Sequence, residues 1–266
     1  MEALIINLPG AAERMAFQKK QMKALGLAYT RLNACDVNAI ARYSTAYWNT
    51  WERPLRDTEK ACFLSHRQAW AAVAAQNRPA LILEDDAVLS SDTPAFLNSL
   101  AFVEGIDLLT LETRARKKLV ARKQSSQEEK LGIRRVYQDR SGAAAYILWP
   151  AGARKLLQRT QRRAGLADAV ICAAYELKTF QADPALAMQI DRCEAYRLTP
   201  PIKTQSSILT CDVPAPRETH LTVARLRFRV RRLYSQLRMG IRFVTKALFA
   251  ERRYIEPTQK SSFDAS

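Results

Sequence analysis

The sequence predicts an α/β fold, a mostly parallel sheet with helices on both faces. Three observations predict it. Short apolar runs alternate with helix-length segments, the βαβ pattern. One run, Leu81-Ile82-Leu83, ends abruptly in Glu84-Asp85-Asp86, as a buried strand does where it reaches a ligand crevice at its carboxyl end. With 266 residues, 48% of them hydrophobic, the chain can bury a substantial core.

In chain order, a first strand is expected over Ala3 to Leu8, ahead of Pro9-Gly10. A helix follows from about Ala12 to Leu25, closed by Gly26. A second strand spans about Ala28 to Asn33. Residues 37–57 carry Tyr43, Tyr47, Trp48, Trp51 and Pro54 without periodicity; they read as a long, partly ordered loop whose aromatics are able to stack on a sugar. A helix runs from an Asp57/Thr58 cap to about Gln76, and Pro79 restarts the chain into the acidic strand. Thr93-Pro94 opens another helix. After a strand over Asp107 to Leu111, the polar stretch Thr113 to Lys130 reads as a solvated excursion whose arginines are able to meet an anionic acceptor. Strands near Ile133–Tyr137 and Ala143–Trp149 precede a helix from Ala151 to about Arg163. No internal repeat and no Gly-rich phosphate loop is present.

Charge divides the chain. The formal net charge is +16, and residues 217–253 hold eleven Lys/Arg against Glu218 and Glu251, a local net of +9. There, Leu226, Val230, Leu233, Leu237, Ile241, Val244 and Leu248 step by three or four, and Arg225, Arg229, Arg232 and Arg242 flank them. That is a basic amphipathic helix, expected at an anionic membrane surface; packing on the domain and nucleic acid are the alternatives. The expected division is a domain over 1–216 and a membrane-associating segment over 217–266. No run reaches transmembrane length, and the N-terminus lacks a signal-peptide pattern. Five scattered cysteines without a CxxC pair favour free thiols in a reducing compartment and argue against zinc. A cytoplasmic protein, peripheral on the inner membrane face, is expected.

Three adjacent carboxylates repel one another unless a cation or donor offsets them. Oxygen ligands suit Mg²⁺ or Mn²⁺. The bland alternative is a solvated acidic turn.

Four blocks carry a resemblance. They are Ile5-Ile6-Asn7-Leu8 with Glu13-Arg14; Ala61-Cys62-Phe63-Leu64-Ser65-His66 with Trp70; Leu81 to Asp86; and Ser141 to Ile147 with Gly152-Ala153 and then Ala167-Asp168. In this order they resemble glycosyltransferase family 25, the group of bacterial lipooligosaccharide galactosyltransferases and related collagen galactosyltransferases. Ala61 stands where that family more often has glycine, and Pro9-Gly10-Ala11 replaces a more charged turn. The Gln205-Ser206-Ser207 stretch is similar to the family's closing segment.

The resemblance implies a GT-A-like (Rossmann-like) fold, a UDP-sugar donor, most often UDP-galactose, and Mn²⁺ or Mg²⁺. By it, Asp86 binds the metal, while Glu84 and Asp85 contact donor hydroxyls. Asn7, Arg14 and His66 belong to the nucleotide pocket; a hydrogen-bonded core histidine is the alternative for His66. An inverting transfer needs a general base, for which Asp168 is the candidate, with a helix N-cap as its other reading. Glu112 and Asp107 are fallback bases. The expected reaction is transfer of a hexose to a lipid-linked lipopolysaccharide acceptor. A nucleotidyltransferase and a basic membrane- or nucleic-acid-binding module remain as alternatives.

Overall fold

The computed structural model describes residues 1–101, 103–140, 142–203 and 223–263. The first half alternates as expected: β1 (Ala3–Asn7), α1 (Ala12–Leu25), β2 (Tyr29–Asn33), α2 (Thr45–Trp48), α3 (Asp57–Gln76), β3 (Ala80–Glu84), β4 (Ala87–Leu89), α4 (Thr93–Ser99) and β5 (Leu108–Thr110). Then follow β6 (Lys118–Ala121), α5 (Ser126–Lys130), β7 (Ile133–Gln138), β8 (Ala145–Leu148), α6 (Pro150–Arg159), α7 (Ala167–Cys172), β9 (Thr179–Ala182), β10 (Ala187–Gln189), α8 (Val223–Lys246) and β11 (Ala250–Arg253). Gly26 ends α1 in the left-handed conformation (φ 63°). Ser141, the Gln205-Ser206-Ser207 stretch and the boundary at 216/217 lie outside the described residues.

The main sheet runs in the order β11-β6-β7-β9-β5-β8-β3-β1-β2. Among its strands β7, β8 and β11 are reversed and the other six share one direction. A second, two-stranded sheet pairs β10 with β4, antiparallel. Both faces of the main sheet are covered. Leu4, Ile6 and Ile82 pack with Phe63 and Trp70 of α3 and Leu156 of α6. Ala3, Ile5, Leu81 and Leu83 pack on the other face with Met15 and Met22 of α1 and Leu97 of α4. Alternation along β1 and β3 supplies one set of side chains to each core.

Two readings of the sequence need correction. The 113–130 stretch is solvated only on either side of a strand, at 115–117 and over 122–130. β6 within it is buried throughout, and its Lys118 Nζ meets Asp139 Oδ2 at 2.7 Å and Gln181 Oε1 at 2.6 Å. Ion pairing inside the fold turned a basic stretch into a strand. Nor are the aromatics of 37–57 all free to stack on a sugar: Tyr47 and Trp48 are buried, and Trp48 sits edge-on to Phe63 with centroids 6.4 Å apart.

Helix α8 forms where the stripe predicts, and the alternative in which the stripe packs on the domain is not what the structure shows. The seven stripe residues are 54–82% exposed. Arginines face the domain instead. Arg231 donates to the carbonyls of Asn49 and Trp51, Arg242 donates to Tyr137 O, and Arg238 and Arg242 lie 4.9 and 4.3 Å from the Tyr175 ring. Cation–π contacts and carbonyl acceptors thus hold the helix by its charged side. Beyond it, β11 returns to the main sheet against β6.

Candidate functional site

Strand β3 delivers its carboxylates to the end of the sheet where β1 and β5 also finish. The chain turns at Asp85-Asp86 and re-enters as β4. Pairing of β4 with β10 sets Gln189 opposite Ala87, and Ile190 N–H donates to Asp86 O at 3.0 Å. A cleft of about 360 Å³ opens here, lined by Glu84, Asp86, Asp168, Arg14, Arg114 and Gln189 among others.

Behind the cleft runs a chain of hydrogen bonds. Trp70 Nε1 donates to Tyr146 Oη at 2.8 Å, and Tyr146 Oη lies 3.0 Å from His66 Nδ1. An indole N–H can only donate, so Tyr146 Oη accepts from Trp70 while it pairs with His66 Nδ1. The other ring nitrogen, Nε2, lies 3.1 Å from Glu84 Oε1. His66, fully buried, orients Glu84 from behind, as carboxylate-fixing residues do in metal sites. Burial raises the Glu84 carboxyl, but the His66 hydrogen bond and charge, with Arg114 and Arg14, hold it below its usual range.

Asp86 is treated differently. Burial and the adjacent charges of Glu84 and Asp85 push its carboxyl up to about 7. The side-chain donor facing it is Gln189 Nε2, at 3.4–3.5 Å, which also reaches Glu84 Oε2 at 3.2 Å. Two carboxylates on one cleft, of which Asp86 faces only a long contact from Gln189 among the described side-chain hydrogen bonds, fit a hard divalent cation. Cys62 Sγ, a His66 ring nitrogen and a Glu84 oxygen also lie within 4.8 Å of one another, a possible metal-binding triad. His66 Nε2 is already engaged with Glu84, and burial pushes the Cys62 thiol well up. The Glu84–Asp86 edge is therefore the better seat.

The other expected residues sort clearly. Arg14 and Asp168 line the cleft with Glu84 and Asp86. Asp85 does not offer itself to a ribose: Asn7 Nδ2 donates to its Oδ2 at 2.7 Å and Arg14 Nη1 to its Oδ1 at 3.0 Å. Asn7 is buried and acts through this tether rather than on a ligand. Asp168 is not the N-cap of α7, which is Leu166; its Oδ1 accepts the Ala169 N–H at 2.7 Å. Burial raises its carboxyl.

Asp107 sits at the opposite end of β5, bound to Lys155 Nζ at 2.6 Å. Arg114 belongs to the 113–130 stretch whose arginines were expected to meet an anion; Gln189 and Cys62 were not foreseen. Only Cys62 left a signal, its i,i+4 spacing to His66 on one helix. Gln189 and Arg114 arrive through strand pairing and a loop.

Glu112 is buried and too enclosed to meet an acceptor, and its Oε1 has no hydrogen-bond partner. Burial, opposed in part by Arg114, pushes its carboxyl up to about 8. The folded state thus holds this proton more tightly than the unfolded chain, whose glutamate titrates at about 4.3. The stabilisation is complete below that range and is lost as pH rises toward 8. Glu112→Gln is expected to melt above the wild type at about pH 8 and to show a flatter melting profile down to about pH 5. Parallel profiles for the two proteins would contradict a neutral Glu112.

Comparison with known proteins gives one family match. The model described as glycosyltransferase family 25 (LPS biosynthesis protein) matches residues 1–171, the interval that holds all four sequence blocks. No curated protein sequence matches the chain. Among solved structures, the inositol-1-phosphate CTP transferase from T. maritima superposes with a TM-score of 0.36 at 10% identity, covering 71% of this chain and 89% of that one. A Drosophila β-1,4-galactosyltransferase 7 mutant, in complex with manganese, UDP-Gal and xylobiose, gives 0.34 at 12% identity, covering 78% and 77%. Neither superposition adds to what the sheet order shows by itself.

Proposed function

The chain belongs to glycosyltransferase family 25 and is a glycosyltransferase, and from that premise we propose that it moves a hexose, galactose from UDP-galactose, onto a lipid-linked lipopolysaccharide acceptor with inversion. The observation that carries the reading is the convergence of Glu84, Asp86, Arg14 and Asp168 on one cleft.

Mn²⁺ or Mg²⁺ held by Asp86 and Glu84 would stabilise the charge that builds on the departing diphosphate. Arg14 and Arg114 face the same cleft and add charge-assisted hydrogen bonds to phosphate oxygens. Gln189 bridges Glu84 and Asp86 and fixes their spacing. Asp168 accepts the proton of the acceptor hydroxyl, whose oxygen attacks the anomeric carbon as the bond to UDP breaks. Its burial-raised carboxyl makes it a stronger base than a solvated aspartate.

Asp168→Asn tests the assignment. The variant is expected to keep donor affinity and to lose roughly a hundredfold or more in kcat, read as UDP release. A kcat within a few-fold of wild type would remove Asp168 from the base role.

The placement of α8 supports a peripheral site of action, on the cytoplasmic face of a membrane. Its apolar side is outward and its arginines lie at the margins and beneath, the arrangement of an interfacial helix. No helix among the described residues is long and apolar enough to cross a membrane. In this reading α8 sets the chain on the lipid surface, while β11 beyond it returns to complete the main sheet.

A further inference from the structure

A second cleft, of about 300 Å³, lies between α8 and the body of the domain, and five arginines line it: Arg159, Arg162, Arg163, Arg231 and Arg238. Glu52 is the one acid among its lining residues. Arg159 is neutralised from outside, its Nη1 2.9 Å from Glu176 Oε1, and Arg231 and Arg238 are spent on docking the helix. Arg162 and Arg163 are exposed and have no carboxylate within ion-pair distance among the described residues. They are guanidinium groups without an anion.

The loop that presents them is firmly built. Tyr47 Oη donates to Thr160 O at 2.9 Å, and Ala164 N–H donates to Thr50 Oγ1 at 2.8 Å. Thr50 Oγ1 in turn donates to Tyr47 O at 2.6 Å. Gly165 lies under the Trp51 ring so closely that a Cβ there would come within 2.5 Å of it. The aromatic segment between β2 and α3 therefore braces this arginine loop. A braced loop loses little entropy when its arginines engage a ligand.

Position gives the cleft a meaning. Helix α7 separates it from the catalytic cleft: Ala167 and Asp168 line the catalytic side, while Val170 and Ala173 line the arginine side. Six residues of helix rise about 9 Å, so the two clefts share one short wall. On its outer side the cleft is lined by Tyr234 and Ser235 of α8. Tyr234 is 58% exposed beside the stripe residues Leu233 and Leu237, so the arginines sit along the edge of the face proposed to meet lipid.

We propose that this cleft is an anion subsite for the acceptor, which Arg162 and Arg163 hold by a phosphate group at the lipid surface while its glycan end reaches Asp168. The proposal rests on the lipid-linked acceptor reading above. Guanidinium forks match phosphate geometry and form charge-assisted pairs. The subsite makes α8 and the arginine loop a single device: the helix seats on lipid and the loop reads a phosphate carried there.

The test uses full-length protein and phosphatidylcholine vesicles, with and without phosphatidic acid as the phosphomonoester probe. Wild type is expected to bind the doped vesicles roughly tenfold or more tightly than the neutral ones. Arg162→Ala/Arg163→Ala is expected to keep the neutral-vesicle affinity and to lose severalfold of that gain, the arginines of α8 keeping the rest. Lys19→Ala/Lys20→Ala removes the same charge from an exposed turn of α1 and is expected to keep the gain. A gain retained in full by Arg162→Ala/Arg163→Ala, or lost equally in both variants, overturns the subsite.

Inorganic phosphate adds a further arm. If it erases the gain in wild type, the site reads the bare anion. A gain that resists it, yet needs the two arginines, supports a site that reads the anion at lipid. Mn²⁺-dependent stabilisation by UDP is expected to be the same in Arg162→Ala/Arg163→Ala and wild type. Failure of the donor-site reading would therefore show in that measurement, and failure of the subsite in the vesicles.

Discussion

Asp86→Asn is expected to fold, to melt no lower than the wild type without added metal, and to lose Mn²⁺-dependent UDP affinity by roughly a hundredfold or more. The stability half follows from electrostatics. Asp86 is a half-buried carboxylate beside Glu84 and Asp85, pushed up to about 7. The folded chain holds the Asp86 proton more tightly than the unfolded chain does, so this group's contribution to stability falls as pH rises from about 4 to about 7. An uncharged amide of the same shape removes that slope.

The affinity half follows from the same fact. A carboxylate that ionises at a cost beside Glu84 and Asp85 recovers that cost when a cation binds. Metal-dependent donor binding in wild type is therefore expected to strengthen as pH rises toward about 7 and then level off. A folded Asp86→Asn protein that still binds UDP with Mn²⁺ like wild type would dismiss Asp86 as a ligand.

Replacing Leu233, Leu237 and Ile241 together by Gln is expected to leave the melting temperature within a degree or two of wild type and to cut affinity for anionic vesicles about a hundredfold. These side chains are more than half exposed, so they contribute little to the fold. Seated in lipid, each contributes about 1 kcal/mol, a part of what full burial of a large apolar side chain gives, and roughly 3 kcal/mol together is about a hundredfold in affinity. Truncation before the helix is a poorer test, because β11 lies beyond it and pairs with β6. Undiminished vesicle binding by the triple variant would show that arginines alone hold the surface. A change in oligomeric state would show instead that the stripe meets a second copy.

Much of this architecture was legible in the sequence because its signals are local. A strand buried on both faces, such as β3, must be apolar throughout, and it cannot end in three carboxylates without opening onto something that accepts charge. The caps of α1 and the Thr93-Pro94 start of α4 are written in single residues. The site was half legible for the same reason. Glu84, Asp86, Arg14 and Asp168 fall in recognisable blocks and meet in the cleft.

What escaped depends on long-range pairing. Gln189 reaches Glu84 and Asp86 only because β10 pairs with β4, and nothing in Ala187-Met188-Gln189 announces that. Strand β6 reads as polar because Lys118 carries its charge inside, against Asp139 and Gln181. Tyr47 and Trp48 read as sugar-stacking residues because an aromatic cluster without periodicity looks the same whether it faces ligand or core. For α8 the period was right, but period alone does not say which face turns inward. There the arginines won, since Tyr175 and backbone carbonyls offered them partners.

The most direct test of the central claim is a melting-temperature series with UDP-galactose, UDP-glucose, UDP and CTP, each with Mn²⁺, with Mg²⁺ and with neither. Ligand linkage raises the melting temperature of whatever state binds. The proposed function predicts a rise with UDP species that requires the divalent ion, is largest for UDP-galactose and disappears in Asp86→Asn. No rise with any UDP species at saturation, or a rise with CTP and Mg²⁺ alone, would contradict a metal-dependent UDP-sugar site at Glu84 and Asp86.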